Sequence, residues 1–221
     1  MAIALLQSTH SNAGAVTTAT LAFPSNVTAW SMLVCHIWNA GTGATLSASD
    51  NVNGSYHLDN VLFNTPAGVI GGICTFPNAA AGATTVTFNA SGGTGQLRCV
   101  IEEYSGIAIS SPLDQIQSAT FNATTTPSSG NTPTTTQANE LLIGATFGAN
   151  THTDTAGSGY TLDPNGNNGR PSCEYQVVSV TGAYAAVFNI GSTDGGVTLI
   201  ATYKALPSGP PAYSLSSHLE F

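Results

Sequence analysis

The sequence predicts an all-β fold: a two-sheet antiparallel β-sandwich, jelly-roll-like, with an internal pseudo-repeat. Three observations predict it. Short apolar or alternating runs recur along the chain and are separated by Gly, Asn, Pro and Thr clusters, the signature of many strands joined by tight turns. No window shows the 3.6-residue periodicity of an amphipathic helix. The same strand and turn motifs also occur twice in the same order, about 100 residues apart, and self-similarity at a fixed period constrains architecture before anything else does.

The elements follow in order. Ile3–Ser8 opens the chain as an apolar run, and Thr17–Phe23 ends in Thr20-Leu-Ala-Phe23, the alternation of a half-buried strand. Ser31–Trp38 is continuously apolar. Leu46–Asp50 runs into Asn51-Val-Asn53-Gly54, where Asn-Gly supplies the positive φ of a tight turn. His57–Phe63, Val69–Phe76, Ala83–Asn89 and Leu97–Tyr104 complete the first half; within them Thr85-Val-Thr-Phe88 alternates again. The second half predicts strands at Leu113–Asn122, Glu140–Phe147, Tyr160–Asp163, Ser172–Ser179, Tyr184–Ile190 and Val197–Lys204.

The repeat pairs these runs. Asn53-Gly-Ser-Tyr-His-Leu-Asp59 matches Gly157-Ser-Gly-Tyr-Thr-Leu-Asp163, Cys74-Thr-Phe76 matches Cys173-Glu-Tyr175, and Leu97–Tyr104 matches Val197–Tyr203. Each half, about 1–112 and 113–206, carries few large apolar residues and would bury a thin core alone. The expectation is therefore one sandwich over 1–206, with both halves contributing strands to both sheets. Residues 207–221, beginning Pro207-Ser-Gly-Pro-Pro, read as an extended C-terminal arm or a tag.

Composition excludes whole classes of function. Charged residues are 6% of the chain, against about 25% in an ordinary soluble domain. Three basic side chains and a formal net charge of −8 leave no basic footprint for nucleic acid. No run approaches the roughly 20 apolar residues of a membrane-spanning helix, and the first residues lack the basic region and long apolar stretch of a secretory signal. A polar surface made of Thr, Ser, Asn and Gly suits neutral partners: other protein subunits, including copies of the same chain, or a cell-surface glycan.

An ordered set of motifs also resembles a known module. Ile3-Ala-Leu-Leu-Gln-Ser8, Asn26-Val-Thr-Ala29, Asp50-Asn-Val-Asn-Gly-Ser-Tyr56, Glu103-Tyr-Ser-Gly106, Ser111-Pro-Leu-Asp114, Ala138-Asn-Glu-Leu-Leu-Ile-Gly144, Gly157-Ser-Gly-Tyr-Thr-Leu162 and Ala201-Thr-Tyr-Lys204 resemble a β-sandwich module that recurs in bacterial extracellular proteins and in bacteriophage virion proteins. The resemblance spans about residues 2–205. It implies a non-enzymatic role in adhesion, binding or structure, such as a capsid decoration or tail-associated subunit, and a location on a virion or in the extracellular space. The alternative is a carbohydrate-binding module of a secreted bacterial protein.

Few residues offer chemistry. Asp50, Asn51 and Asn53 place several oxygens within one loop, a potential calcium set, beside the simpler reading of a turn; no other cofactor is expected. Trp30, Tyr56 and Tyr175 are the candidate aromatic platform for a sugar. Glu102 and Glu103 are adjacent on a strand and so face opposite ways, unlike the facing carboxylates of a glycosidase; the inward one needs a partner, with Arg98 the candidate. Glu140 is expected to accept backbone hydrogen bonds closing its turn. His36 is expected in the interior. Cys35, Cys74, Cys99 and Cys173 form no Cys-x-x-Cys pair, which argues against zinc, and sequence leaves open whether they are free thiols or include a disulfide.

Overall fold

Every predicted strand region except one becomes a ladder strand in the computed structural model, which describes residues 2–41, 43–93, 95–166 and 169–207. The strands are β1 (Ala4–Gly14), β2 (Thr18–Ala22), β3 (Met32–Ala40), β4 (Thr45–Asp50), β5 (Gly54–Ser55), β6 (His57–Asn64), β7 (Val69–Phe76), β8 (Thr85–Ser91), β9 (Leu97–Ser105), β10 (Leu113–Thr124), β11 (Asn139–Gly148), β12 (Thr161–Leu162), β13 (Ser172–Ser179) and β14 (Asp194–Lys204). All pairings are antiparallel, and no helix occurs among the described residues. The predicted arm lies outside the described residues beyond Pro207.

The strands form three sheets, not the two expected. Their orders are β1-β9-β3-β7-β6, β2-β8-β4-β5 and β10-β14-β11-β13-β12. No sheet mixes strands from the two halves, which corrects the expected sharing. The reason lies in the pairing: each half closes on itself, β9 joining β1 to β3 and β14 joining β10 to β11. The thinness of each half is resolved differently, by stacking the first half's five-stranded sheet on the second half's.

Period-2 alternation sorts the side chains of that central sheet. On β3 and β9, Leu33, Cys35, Ile37, Leu97, Cys99 and Ile101 enter one core with Leu46, Val86 and Phe88 of the four-stranded sheet. Their neighbours Met32, Val34, Trp38, Val100 and Tyr104 enter a second core with Leu141, Ile143, Phe147, Leu199 and Tyr203 of the other five-stranded sheet. A sheet covered on both faces needs apolar residues on both, so β3 reads as one unbroken buried run. Each fully buried large side chain contributes about 1.5–3 kcal/mol.

The outer face of the β10-β14-β11-β13-β12 sheet is covered too, by Ala186, Phe188 and Ile190 packed with Phe121 and Ile200. Here the predicted strand Tyr184–Ile190 is not a ladder strand. It makes isolated bridges, Ser128 to Val187 and Thr155 to Asn189, with Phe188 N donating to Pro127 O and Ile190 N to Thr125 O. Its partner segment carries Pro127 and Pro133, which have no N–H to give, so the ladder breaks. The order of these segments (125–129, 184–190, 153–155) nevertheless parallels β2-β8-β4.

The two halves interlock through side chains. Trp38 Nε1 donates to Gly148 O at 2.8 Å. Asn60 Nδ2 reaches Gln117 O and Ile200 O, and Asn64 Nδ2 reaches Phe121 O and Gly196 O, at 2.8–3.0 Å. The Phe147 ring sits where a Cβ on Gly71 would be, 2.3 Å from ring Cγ. Gly71→Ala therefore forces Phe147 out of its seat, an overpacking cost of about 1–3 kcal/mol. The expected result is a lower urea midpoint with the strand content of the circular-dichroism spectrum retained; an unchanged midpoint would refute this interlock.

Candidate functional site

The acidic residues define the chemistry of this molecule because they are inside it. Asp50, Asp59, Asp154, Asp163, Asp194, Glu102, Glu103, Glu140 and Glu174 are buried, nine of the ten acidic residues described. The tenth, Asp114, is half-buried, as are Arg98, Arg170 and Lys204. A buried carboxylate needs hydrogen bonds or neutralisation, and each position shows how this is met.

Asp50 is a turn anchor. Its Oδ1 accepts from Val52 N and Asn53 N, and its Oδ2 from Asn53 Nδ2 and Tyr56 Oη, at 2.5–2.9 Å. Asn51 Oδ1 accepts from Thr85 N and Asn53 Oδ1 from Ala80 N. The three side chains thus turn their oxygens to different backbone donors and do not converge on a common cation position. The loop is an Asx-type turn, the simpler of the two readings of this pattern, and its oxygens are engaged by protein donors.

The aromatic platform does not assemble either. Tyr56 is buried in the first core, with its hydroxyl on Asp50 and its ring 5.8 Å from that of Phe76. Burial pushes its phenol well up, and the Asp50 charge adds to this. Tyr175 packs edge-on against Tyr104 of the second core, with ring centroids 5.7 Å apart. Trp30 alone presents a ring to solvent: it is 68% exposed and held at φ 66°, in the left-handed region that non-Gly residues enter rarely.

The remaining acids join elements. Asp59 Oδ2 accepts from Thr75 Oγ1 and Tyr203 Oη, and its Oδ1 meets His57 Nδ1. Asp163 Oδ1 accepts from Ser8 Oγ and Asn165 N, both at 2.8 Å. Each therefore ties one half to the other or to its own loop. Glu103 accepts from Gln7 Nε2 and from Thr28 N, and Glu174 from Gly157 N and Val187 N. Burial pushes Glu174 up to about 7 against those two donors. Neither Glu102 nor Glu103 pairs with Arg98, which lies with Arg170 over the Trp38 ring.

Two histidines sit among acids. His152 Nδ1 bonds Asp154, and its Nε2 lies 3.3 Å from Asp194 Oδ2. Burial works against its charge, but the two carboxylates prevail and raise it. Ser172 Oγ donates to Asp154; with its proton on the carboxylate and not aimed at the imidazole, this is not the Ser–His order of a nucleophilic triad. His36 Nε2 lies 2.9 Å from Glu102 Oε2, both fully buried. Burial lowers His36 to about 4 and raises Glu102 to about 7. With Cys173 these two form a group whose potential ligand atoms lie within 4.8 Å of one another. Sequence reasoning missed it because its members stand 66 and 71 residues apart; only the stacking of the two sheets brings them together. All four cysteines are free and buried, with Cys35 Sγ and Cys99 Sγ 3.2 Å apart.

Glu140 differs from expectation. Asp114 closes the turn, accepting from Thr136 N and Thr136 Oγ1 at 2.6 Å, with Lys204 Nζ at 3.3 Å. Glu140 is buried behind it, and burial with the neighbouring Asp114 charge pushes it up to about 7.

No family model matches the chain and no curated protein matches it. Among solved structures, the major capsid protein P2 from bacteriophage PM2 is similar at a TM-score of 0.30 and 8% identity, with 94% of this chain and 98% of that chain covered. A likeness of that strength establishes neither fold nor function.

Glu140 gives a pH dependence. Folded Glu140 keeps its proton up to about 7, whereas an unfolded glutamate loses it near 4.5. Its contribution is full below the lower value and is lost as pH rises through the higher one. Glu140→Gln, which carries no charge, should leave stability nearly unchanged at acidic pH and raise it above neutrality by on the order of 1–3 kcal/mol. Urea unfolding of both proteins on either side of the transition measures this; an equal effect at both pH values would refute it.

Proposed function

We propose that this chain is a non-enzymatic structural protein of a virion exterior, built as two jelly rolls in one polypeptide and acting through contacts with other copies and sibling subunits. The strand order carries this reading. In the first half β1 pairs β9, β2 pairs β8, β3 pairs β7 and β4 pairs β5. These are the pairings of one long hairpin rolled up so that β9 also meets β3 and β8 also meets β4, which is the jelly-roll path. The order β10-β14-β11-β13-β12 repeats β1-β9-β3-β7-β6 position by position, so the internal repeat is read as a duplicated roll. Jelly rolls recur in viral capsid and lectin domains; that link is an analogy of fold, and the argument from the site is the surface.

The surface supports contact and not catalysis. Every described Asp, Glu, Lys and Arg is buried or half-buried, while the apolar Trp30, Val177 and Val180 are exposed, at 68, 51 and 66%. Such a surface has little long-range repulsion between copies and little for salt to screen. A decoration or tail-associated position on the virion fits it equally.

Trp30 favours one second reading, recognition of a neutral glycan, because a strained backbone presents its ring to solvent. A glycan array with the native chain and Trp30→Ala separates the two: loss of a positive signal in the variant supports carbohydrate binding.

For the leading reading, size exclusion with light scattering and electron microscopy should show assembly of the full chain, alone or with sibling virion proteins. The assembly should change little between low and high salt. A chain that stays monomeric at every concentration and binds no sibling overturns the proposal.

A further inference from the structure

The correspondence between the two five-stranded sheets can be carried to single residues. His36 stands opposite Ile73 and Val100, and Ala145 opposite Cys173 and Leu199. Glu102 stands opposite Val34, and Ala201 opposite Ile143. Asp59 lies at the irregularity facing Ile73, and Asp163 N donates to Cys173 O. Where the sheets stack, His36 and Glu102 of one sheet thus meet Cys173 and Asp163 of the other. At the equivalent place, Ala145 and Ala201 meet Ile73 and Asp59. The fold fills that second place with an apolar set plus one aspartate satisfied by Tyr203 and Thr75. The architecture therefore does not require a histidine, a glutamate and a cysteine at the first.

Those side chains are costly where they stand. His36 Nδ1 and Asp163 Oδ2 are buried with no hydrogen-bond partner, and orphaned polar atoms cost about 1–3 kcal/mol each. No basic side chain offsets the acids: Arg98 and Arg170 lie over Trp38, and Lys204 lies beside Asp114.

We infer that His36, Glu102, Cys173 and Asp163 form a buried structural site for a zinc-type divalent cation that clamps the two sheets together. Imidazole, thiolate and carboxylate are the donor types of tetrahedral zinc, and a soft sulfur beside a borderline nitrogen disfavours magnesium and calcium. Bonds of about 2.0–2.3 Å space donors in such a shell about 3.3–3.7 Å apart. The His36 and Glu102 atoms are already 2.9 Å apart; with Cys173 these three lie within 4.8 Å of one another, so a contraction of about 1 Å brings three donors to that spacing, and Asp163, beside Glu102, is the fourth. As the metal bonds form, the Cys173 thiol proton and the protons that Glu102 and Asp163 hold leave to solvent. Ligands drawn from both halves make the ion a cross-link that neither half can hold alone.

The test uses the full chain expressed in zinc- and in cobalt-supplemented medium and purified without chelator. Elemental analysis should show stoichiometric zinc, and the cobalt form should show a thiolate-to-cobalt charge-transfer band with the intense visible bands of tetrahedral geometry. Cys173→Ser should abolish the charge-transfer band and lower affinity at least about tenfold. The triple variant His36→Ala, Glu102→Ala, Cys173→Ile copies the apolar residues of the equivalent place, so it should fold and carry no metal. A folded native chain without metal in both media overturns the inference, as does metal retained equally in Cys173→Ser and the triple variant.

Discussion

The whole structure depends on one sheet being buried on both faces. The β1-β9-β3-β7-β6 sheet serves as wall to two cores at once, so none of its central residues has a solvent side on which to place a polar group. Each polar residue that the sheet carries must be satisfied within the protein. Glu102, Glu103, Asn39 and His36 are the outcome, each inside and most of them paired. A conventional two-layer sandwich would have let half of these point outward. The stacked arrangement also explains how halves with thin individual cores hold together: the second core belongs to both.

The buried polar groups do more than avoid a penalty. Asp59 on the first half takes the hydroxyl of Tyr203 on the second, and Asp163 on the second takes the hydroxyl of Ser8 on the first. These reciprocal links are directional, whereas the apolar contacts around them are not. They fix which residue of one sheet faces which residue of the other, a specificity that Leu, Ile and Val packing alone leaves loose. The Asn60 and Asn64 amides do the same from β6, each donating to one backbone carbonyl of β10 and one of β14 in the opposing sheet.

Much of this was legible in the sequence, and the misses have physical causes. Strand positions were readable because alternation and Gly/Asn turns are local signals. Tyr104 and Tyr203, paired in the sequence, stand opposite Met32 and Leu141 at corresponding positions of the two five-stranded sheets, and Asp59 and Asp163 directly follow the ladder-paired residues Leu58 and Leu162. Cys74 with Cys173 was a slip of one residue. Register places Ile73 opposite His36, and Cys173 opposite the equivalent Ala145, and a one-residue shift sends a side chain to the other face. The third sheet was not legible because hydrophobic pattern reports that a face is buried, not what buries it. Tyr56 was misread for the same reason: a turn aromatic can lie over the surface or fold under it, and the deciding contact, its hydroxyl on Asp50, is a detail of the turn. The cluster at His36, Glu102 and Cys173 was beyond reach because its members come from three strands of two stacked sheets.

The division between inside and outside sets how this protein responds to its surroundings. In most soluble proteins ionisable groups lie on the surface, so salt and pH act first on association and solubility. Here the described surface is nearly free of full charges, while Glu140 and Glu174 are held by burial at about 7. Each is neutral in the folded chain at pH values where an unfolded carboxyl has ionised, so folding takes up protons between the two values. As pH rises through that range it loosens the interior before it alters the exterior, and contacts between copies should feel the change only through the fold that presents them.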